Sequence, residues 1–225
     1  MLKKVKRMTI PVKSYLGDVK EGDVSETQDV QRYFCSNNSF INGIAVTLLT
    51  EDYLPPIILG EIPVGDELAQ QYIVDGIQRT GALMKIRYGN YKFTSAVEDS
   101  VIEYQTKCKD EKGVIMKDDE GNILYAKHEF DIKGKTFDQL PPELKQRFDR
   151  YQIEIVTHQN CTMTDISKLV RRYNNHTAMK TNQKALTWIP TYARKIKTIA
   201  SSNFFKNAIK CSDTDRKSGN YETVV

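Results

Sequence analysis

Cysteine and tryptophan are scarce in this chain of 225 residues, with four Cys and one Trp. Cys35, Cys108, Cys161 and Cys211 are scattered and form no C-x-x-C pair. That pattern excludes a disulfide scaffold and a structural zinc ribbon, and it suits reduced thiols in a cytoplasmic protein. The three histidines, His128, His158 and His176, stand at no metal-ligand spacing. No apolar run approaches the ~20 residues needed to cross a bilayer, so no membrane partner is expected. The basic N-terminus lacks the apolar core of a secretory signal. There is no P-loop signature, nucleophile elbow or papain-like cysteine context. No internal repeat and no low-complexity tract are read from the chain. What is present is globular in character: 40% hydrophobic and 28% charged residues exclude wholesale disorder, collagen and a coiled-coil rod. The length fits one or two domains with a real core.

The net charge of +4 hides an asymmetry. Residues 1–13 carry five basic groups and no acid, and residues 14–167 carry ten more acids than bases. Residues 168–217 carry twelve basic groups and two acids, among them Arg171, Arg172, Arg194 and Lys195, interleaved with Tyr173, Trp188, Tyr192 and Phe204. Basic plus aromatic composition suits nucleic acid or nucleotide phosphates. The same charge also suits docking of the basic part on the acidic middle.

Helical and strand signals mix along the chain, which gives an α+β class. A capping-box pattern at Ser25–Gln28 opens a short helix through Tyr33 and Phe34. Apolar spacing predicts a helix over 40–49, stopped by Pro55-Pro56. Strands follow at 57–59 and 71–74, with a loop over 60–67 between them. Asp75-Gly76 turns the chain into a helix over 77–88, which Gly89-Asn90 stops. Residues 95–135 are read as a surface insertion, a β-hairpin whose polar turn is 118–122. Leu140-Pro-Pro starts a helix ending near Phe148, and 151–156 is a strand. Thr164 caps a helix bearing Ile166, Leu169, Val170 and Tyr173. A further amphipathic helix after Lys180 is broken or kinked by Pro190.

The segment 72–81 is the most informative. An apolar strand enters Asp75-Gly76 and then a helix, whose first N–H groups lack intrahelical partners and, with the helix dipole, favour an anion. Gly76 lets a phosphate approach the backbone. Arg79 in the first turn offers a two-pronged hydrogen bond to it. Asp75 suits a divalent cation or a ribose hydroxyl, and Gln78 a water or a phosphate oxygen. The same residues also read as a plain helix cap with a capping box, worth about 1 kcal/mol without any ligand. Gln31-Arg32 on the first helix and Arg171-Arg172-Tyr-Asn174 at the end of a later one are weaker candidates for phosphate or base contacts, or simply exposed helix faces.

Taken in order, these pieces resemble the N-terminal domain of GmrSD-type restriction proteins, a phage-defence family marked by an Asp-Gly-Gln-Gln-Arg motif, within the ParB/sulfiredoxin-like superfamily. Gln31-Arg32-Tyr33 matches the early Gln-Arg element. Pro55-Pro-Ile-Ile-Leu59 with Tyr72-Ile-Val-Asp-Gly-Ile-Gln-Arg79 matches the strand–signature–helix element. Val170-Arg-Arg-Tyr-Asn174, with Met179 and Gln183, matches the late Arg-x-Asn element. The resemblance spans roughly residues 28–190. Ile77 stands where the family has Gln, and Asn175-His-Thr177 replaces a Gly-rich turn.

The resemblance implies a small mixed sheet flanked by helices over residues 1–160, with the insertion at about 95–135. A helical, basic part over 161–225 follows, read as the start of a longer chain. It implies a signature loop that binds a nucleoside triphosphate with Mg2+ and is a candidate for hydrolysing it. Asp75, Gln78 and Arg79 would be the catalytic group, with Asp75 also the metal ligand. Gln31, Arg32, Gly76, Arg172 and Asn174 would line the nucleotide pocket. DNA is the further partner implied, together with a nuclease domain or subunit. A ParB-like DNA-binding module without turnover is the alternative. A nickase ranks last, because no second carboxylate stands near Asp75 to build a two-metal site.

Overall fold

A computed structural model describes residues 4–25, 34–65, 68–173 and 189–204. The predicted helix through Tyr33, with Gln31 and Arg32, lies outside these residues, as do Asn174 and the stretch 174–188.

The chain begins with strand β1 (Val5–Pro11), which runs into helix α1 (Val12–Glu21) and the short strand β2 (Val24–Ser25). Helix α2 (Asn38–Leu49) starts where the Asn37 side chain accepts the N–H of Phe40, and it ends at Thr50, well before Pro55-Pro56. Strands β3 (Ile57–Val64) and β4 (Leu68–Asp75) form a hairpin, and β4 leads into α3 (Ile77–Tyr88). The predicted 60–67 loop is therefore corrected to a strand as far as Val64. Pro63 is tolerated there because β3 has left its other neighbour by then. Its pairing with β7 ends at Gly60, so the missing N–H disrupts no second ladder. After α3 come β5 (Val101–Lys107), β6 (Tyr125–Asp131), a single 3-10 turn, α4 (Pro142–Arg150), β7 (Gln152–His158) and α5 (Met163–Tyr173). The cap of α5 is Thr162, not Thr164. Its hydroxyl accepts the N–H of Asp165, while the Asp165 carboxylate takes the N–H of Thr162. The final described helix is α6 (Pro190–Ala200), in which Pro190 opens the first turn instead of kinking a longer helix.

Five strands form a mixed sheet in the order β1-β7-β3-β4-β2. The β1/β7 and β3/β4 pairs are antiparallel, and β3/β7 and β2/β4 are parallel. Strand alternation divides the apolar residues between two faces. Ile57, Ile73 and Ile155 point into a large core with Leu16 of α1, Leu48 of α2, Leu83 of α3 and Phe148 of α4. Their neighbours Ile58, Val74 and Val156 point the other way and pack on Ile166 and Val170 of α5 and Ala193 of α6. The sheet is thus covered by helices on both faces, a mixed α+β architecture with six α-helices among the described residues. None of those helices is long and apolar enough to cross a membrane.

The insertion is a separate two-stranded ribbon, β5 with β6. Its base is fixed in the main core by Ile102 and Ile132, both essentially inaccessible. The turn at 118–122 is found, with the Asp118 N–H donating to the Asn122 carbonyl. The strands expected on either side of it, at 114–116 and 123–126, are corrected to β5 and β6, with only isolated bridges at Lys109–Ile115 and Lys117–Ile123 near the turn. The reading that the chain holds no repeat is corrected. Lys109-Asp-Glu-Lys-Gly-Val-Ile-Met116 and Lys117-Asp-Asp-Glu-Gly-Asn-Ile-Leu124 are consecutive octads that fold alike. In each, the Asp Oδ1 accepts two backbone N–H groups, from Lys112 and Val114 in the first and from Glu120 and Asn122 in the second. In each, Gly takes the left-handed conformation, with φ 79° at Gly113 and 87° at Gly121.

Candidate functional site

The β4–α3 junction brings Asp75, Gly76, Gln78 and Arg79 into one turn, as their spacing requires. Asp75 is the last residue of β4, opposite Ile58. Gly76 is the N-cap of α3 with φ 102°, and no side chain caps the helix. The capping-box reading of this segment is thereby corrected. The Asp75 carboxylate instead accepts Arg79 Nη2 at 2.9 Å, one helical turn on. The same nitrogen donates to the carbonyl of Pro56 at 3.0 Å, tying the start of β3 to the helix. The side chain of Arg79 is 18% exposed and that of Asp75 35%. Arg79 Nε is buried and has no hydrogen-bond partner among the described residues. A buried guanidinium N–H without an acceptor is costly, by roughly 1–3 kcal/mol.

Gly76 is favoured by its backbone, since its φ is one that side chains resist. A Cβ there would come within 2.4 Å of Ile57 Cδ1, so that side-chain end would have to shift. The backbone of the turn therefore lies close against β3. Ile77, at the position where the resemblance expects Gln, packs against the core. Gln78 is engaged too: its Oε1 accepts the Cys35 N–H at 3.0 Å and the Ser36 hydroxyl at 2.8 Å. Its carbonyl thus anchors the segment that leads into α2.

Arg172 lies elsewhere. It is exposed in the last turn of α5, on the face of the sheet opposite α3. No hydrogen bond or ion pair among the described residues joins it to Asp75 or Arg79. Its electrostatic neighbour is His158 at the end of β7, which donates to or accepts from Tyr173 Oη at 2.9 Å. Burial, and then the charge of Arg172, hold His158 below the usual imidazole range. His158 was not among the sequence candidates. No spacing rule links a strand end to a helix end fifteen residues on, so only the packing of α5 on the sheet reveals the pair. The Pro56 carbonyl escaped for a similar reason, since a backbone acceptor carries no residue signature.

Among the described residues no group of three or more His, Cys, Asp or Glu side chains could hold a metal. Mg2+ bound with a nucleotide needs only one or two carboxylates, the remainder coming from phosphate oxygens and water. The single half-exposed carboxylate of Asp75 meets that lesser requirement. Protein-family models, curated proteins and solved structures give no match to this chain.

Proposed function

We propose that the β4–α3 turn binds the phosphates of a nucleoside triphosphate, and that the chain is the nucleotide-responsive domain of a bacterial DNA restriction or phage-defence protein. The observation that carries the reading is the guanidinium of Arg79. It stands in the first turn of a helix with no side-chain cap, and one of its buried N–H groups lacks an acceptor among the described residues. A phosphate oxygen supplies that acceptor, and the dipole at the start of α3 adds to the attraction. Arg79 also exchanges one anion for another. As it turns to phosphate, its bond to Asp75 is released, and that carboxylate becomes available to a magnesium ion. The ion would neutralise phosphate charge. The resemblance to GmrSD-type domains supports the triphosphate as ligand, and the basic residues of 168–217 support DNA as the partner whose engagement the nucleotide regulates.

A second reading, a ParB-like DNA-binding module without turnover, is favoured by the state of the turn. Ile77 packs against the core and Gln78 Oε1 already accepts two hydrogen bonds, which leaves this carbonyl less free to hold an attacking water. The two readings part in a single experiment. Calorimetric titration with ATP, GTP and CTP, with and without magnesium, is run on wild type and Arg79→Ala, and phosphate release is followed in parallel. Binding that weakens at least about tenfold in Arg79→Ala is expected, the worth of a charge-assisted hydrogen bond. Phosphate release selects the hydrolase, and binding without release selects the module. Equal binding by the two proteins, or none by folded wild type, refutes the phosphate site.

A further inference from the structure

One edge of the main sheet is open. Strand β1 comes first in the strand order, and among the described residues nothing pairs with its outer side. The register fixes which groups face outward. Gln159 N–H donates to the Lys4 carbonyl and Val12 N–H to the Tyr151 carbonyl. Both bonds belong to the β1–β7 ladder, in which Lys6 stands opposite Thr157 and Met8 opposite Ile155. The even-numbered residues therefore spend their main-chain groups on β7. Val5, Arg7 and Thr9 turn their N–H and C=O groups outward. Pro11, next in the outward set, has no N–H and closes the row.

The ladder runs through seven residues without a bulge, and residues 5–9 are exposed. Such an edge is a template for an added strand. The side chains select which strand. Lys4, just before β1, shares one face with Lys6, and Arg7 lies on the other. All three are exposed, and none is in an ion pair among the described residues. The one acid in the β1–β7 ladder, Glu154, stands opposite Thr9 and is likewise unpaired among them. A second copy of β1 would bring three more cations to this edge, and like charges across a ladder destabilise. Nucleic acid fits less well too. Its phosphates only accept hydrogen bonds, whereas every outward N–H here is accompanied by an outward carbonyl. An acidic strand satisfies both kinds of main-chain group and meets all three cations.

We propose that the outer edge of β1 takes up an acidic, extended segment of a partner protein as a sixth strand of the sheet. The inference goes beyond the nucleotide reading and stands independently of it. The probe is the end-blocked peptide Thr-Val-Glu-Glu-Val-Glu. Laid antiparallel, it sets Glu opposite Arg7, Lys6 and Lys4, and Val opposite the exposed Met8 and Val5. One short strand buries less than a standard interface, so a dissociation constant of roughly 10 µM to 1 mM is expected in a titration of the full chain followed by NMR. The amides of Val5, Arg7 and Thr9 should gain protection from hydrogen exchange, while those of Lys6 and Met8, already bonded to β7, should not change. N-methylation of the peptide at Thr, the first Glu and the second Val removes its donors to the edge and keeps its charge. It should weaken binding at least about tenfold. Lys6→Glu with Arg7→Glu should weaken it at least about tenfold as well, and should transfer the preference to the peptide with Lys in place of Glu. Both side chains are exposed, so the melting temperature should hold. No saturable binding up to about 1 mM overturns the proposal. Binding that leaves the three outward amides unprotected, or that survives N-methylation, overturns it too. Protection of those amides by duplex DNA, or by raised protein concentration alone, would give the edge to nucleic acid or to a second copy instead.

Discussion

At the residue scale, the decisive position is Gly76. Its left-handed backbone makes alanine unfavourable, and a Cβ there would also push the Ile57 Cδ1 methyl aside. Gly76→Ala should cost about 2–3 kcal/mol, read as a lowered urea midpoint at unchanged slope. This much was legible in the sequence. An apolar strand entering Asp-Gly and then a helix fixes where the turn lies, and an i, i+4 spacing puts Arg79 beside Asp75. What the sequence could not reveal was the use made of the side chains. Gln78 looked like a polar group aimed at a ligand, yet it spends its carbonyl on Cys35 and Ser36. That contact spans more than forty residues, and no local pattern reports it.

At the scale of elements, the helices were easier to read than the strands. The α3 helix is found at the predicted residues, because its cap glycine and its Gly89-Asn90 stop are local signals; Asn90 indeed adopts φ 50°. The β3 strand outran its prediction because Pro63 and Gly65 imitate a loop, whereas the sheet supplies a site where a proline does no harm. The octads were missed because their shared frame, Lys-Asp at the start and Gly at the fifth place, is mostly charged and carries no core periodicity. One element depends on another through Gln78. Gln78→Ala removes the acceptor of two hydrogen bonds and should destabilise by roughly 1–2 kcal/mol. Hydrogen exchange should show the Cys35 amide losing protection while the centre of α3 keeps its own.

At the scale of the molecule, the sheet is held from both sides, and α5 is attached partly through His158 and Tyr173. Burial beside Arg172 lowers the folded pKa of His158 below its ordinary value of 6.5. The unfolded chain therefore binds more protons as the pH falls through 6.5. Stability should be insensitive to this group above that pH and should decline below it, towards the folded pKa. Urea midpoints at about pH 7 and pH 5.5 should differ more in wild type than in His158→Gln. Equal midpoint differences in the two proteins would show that the imidazole is not the group responsible.

The order of the strands also has a consequence in time. Among the described strands, the first, β1, is paired only with the last, β7. While the polypeptide is being made, β1 and the basic residues it carries have nowhere to lie until nearly everything between has been synthesised and packed. The edge of the sheet is therefore the last part of it to close. Formation of this fold should be governed by that long-range closure more than by its well-marked helices.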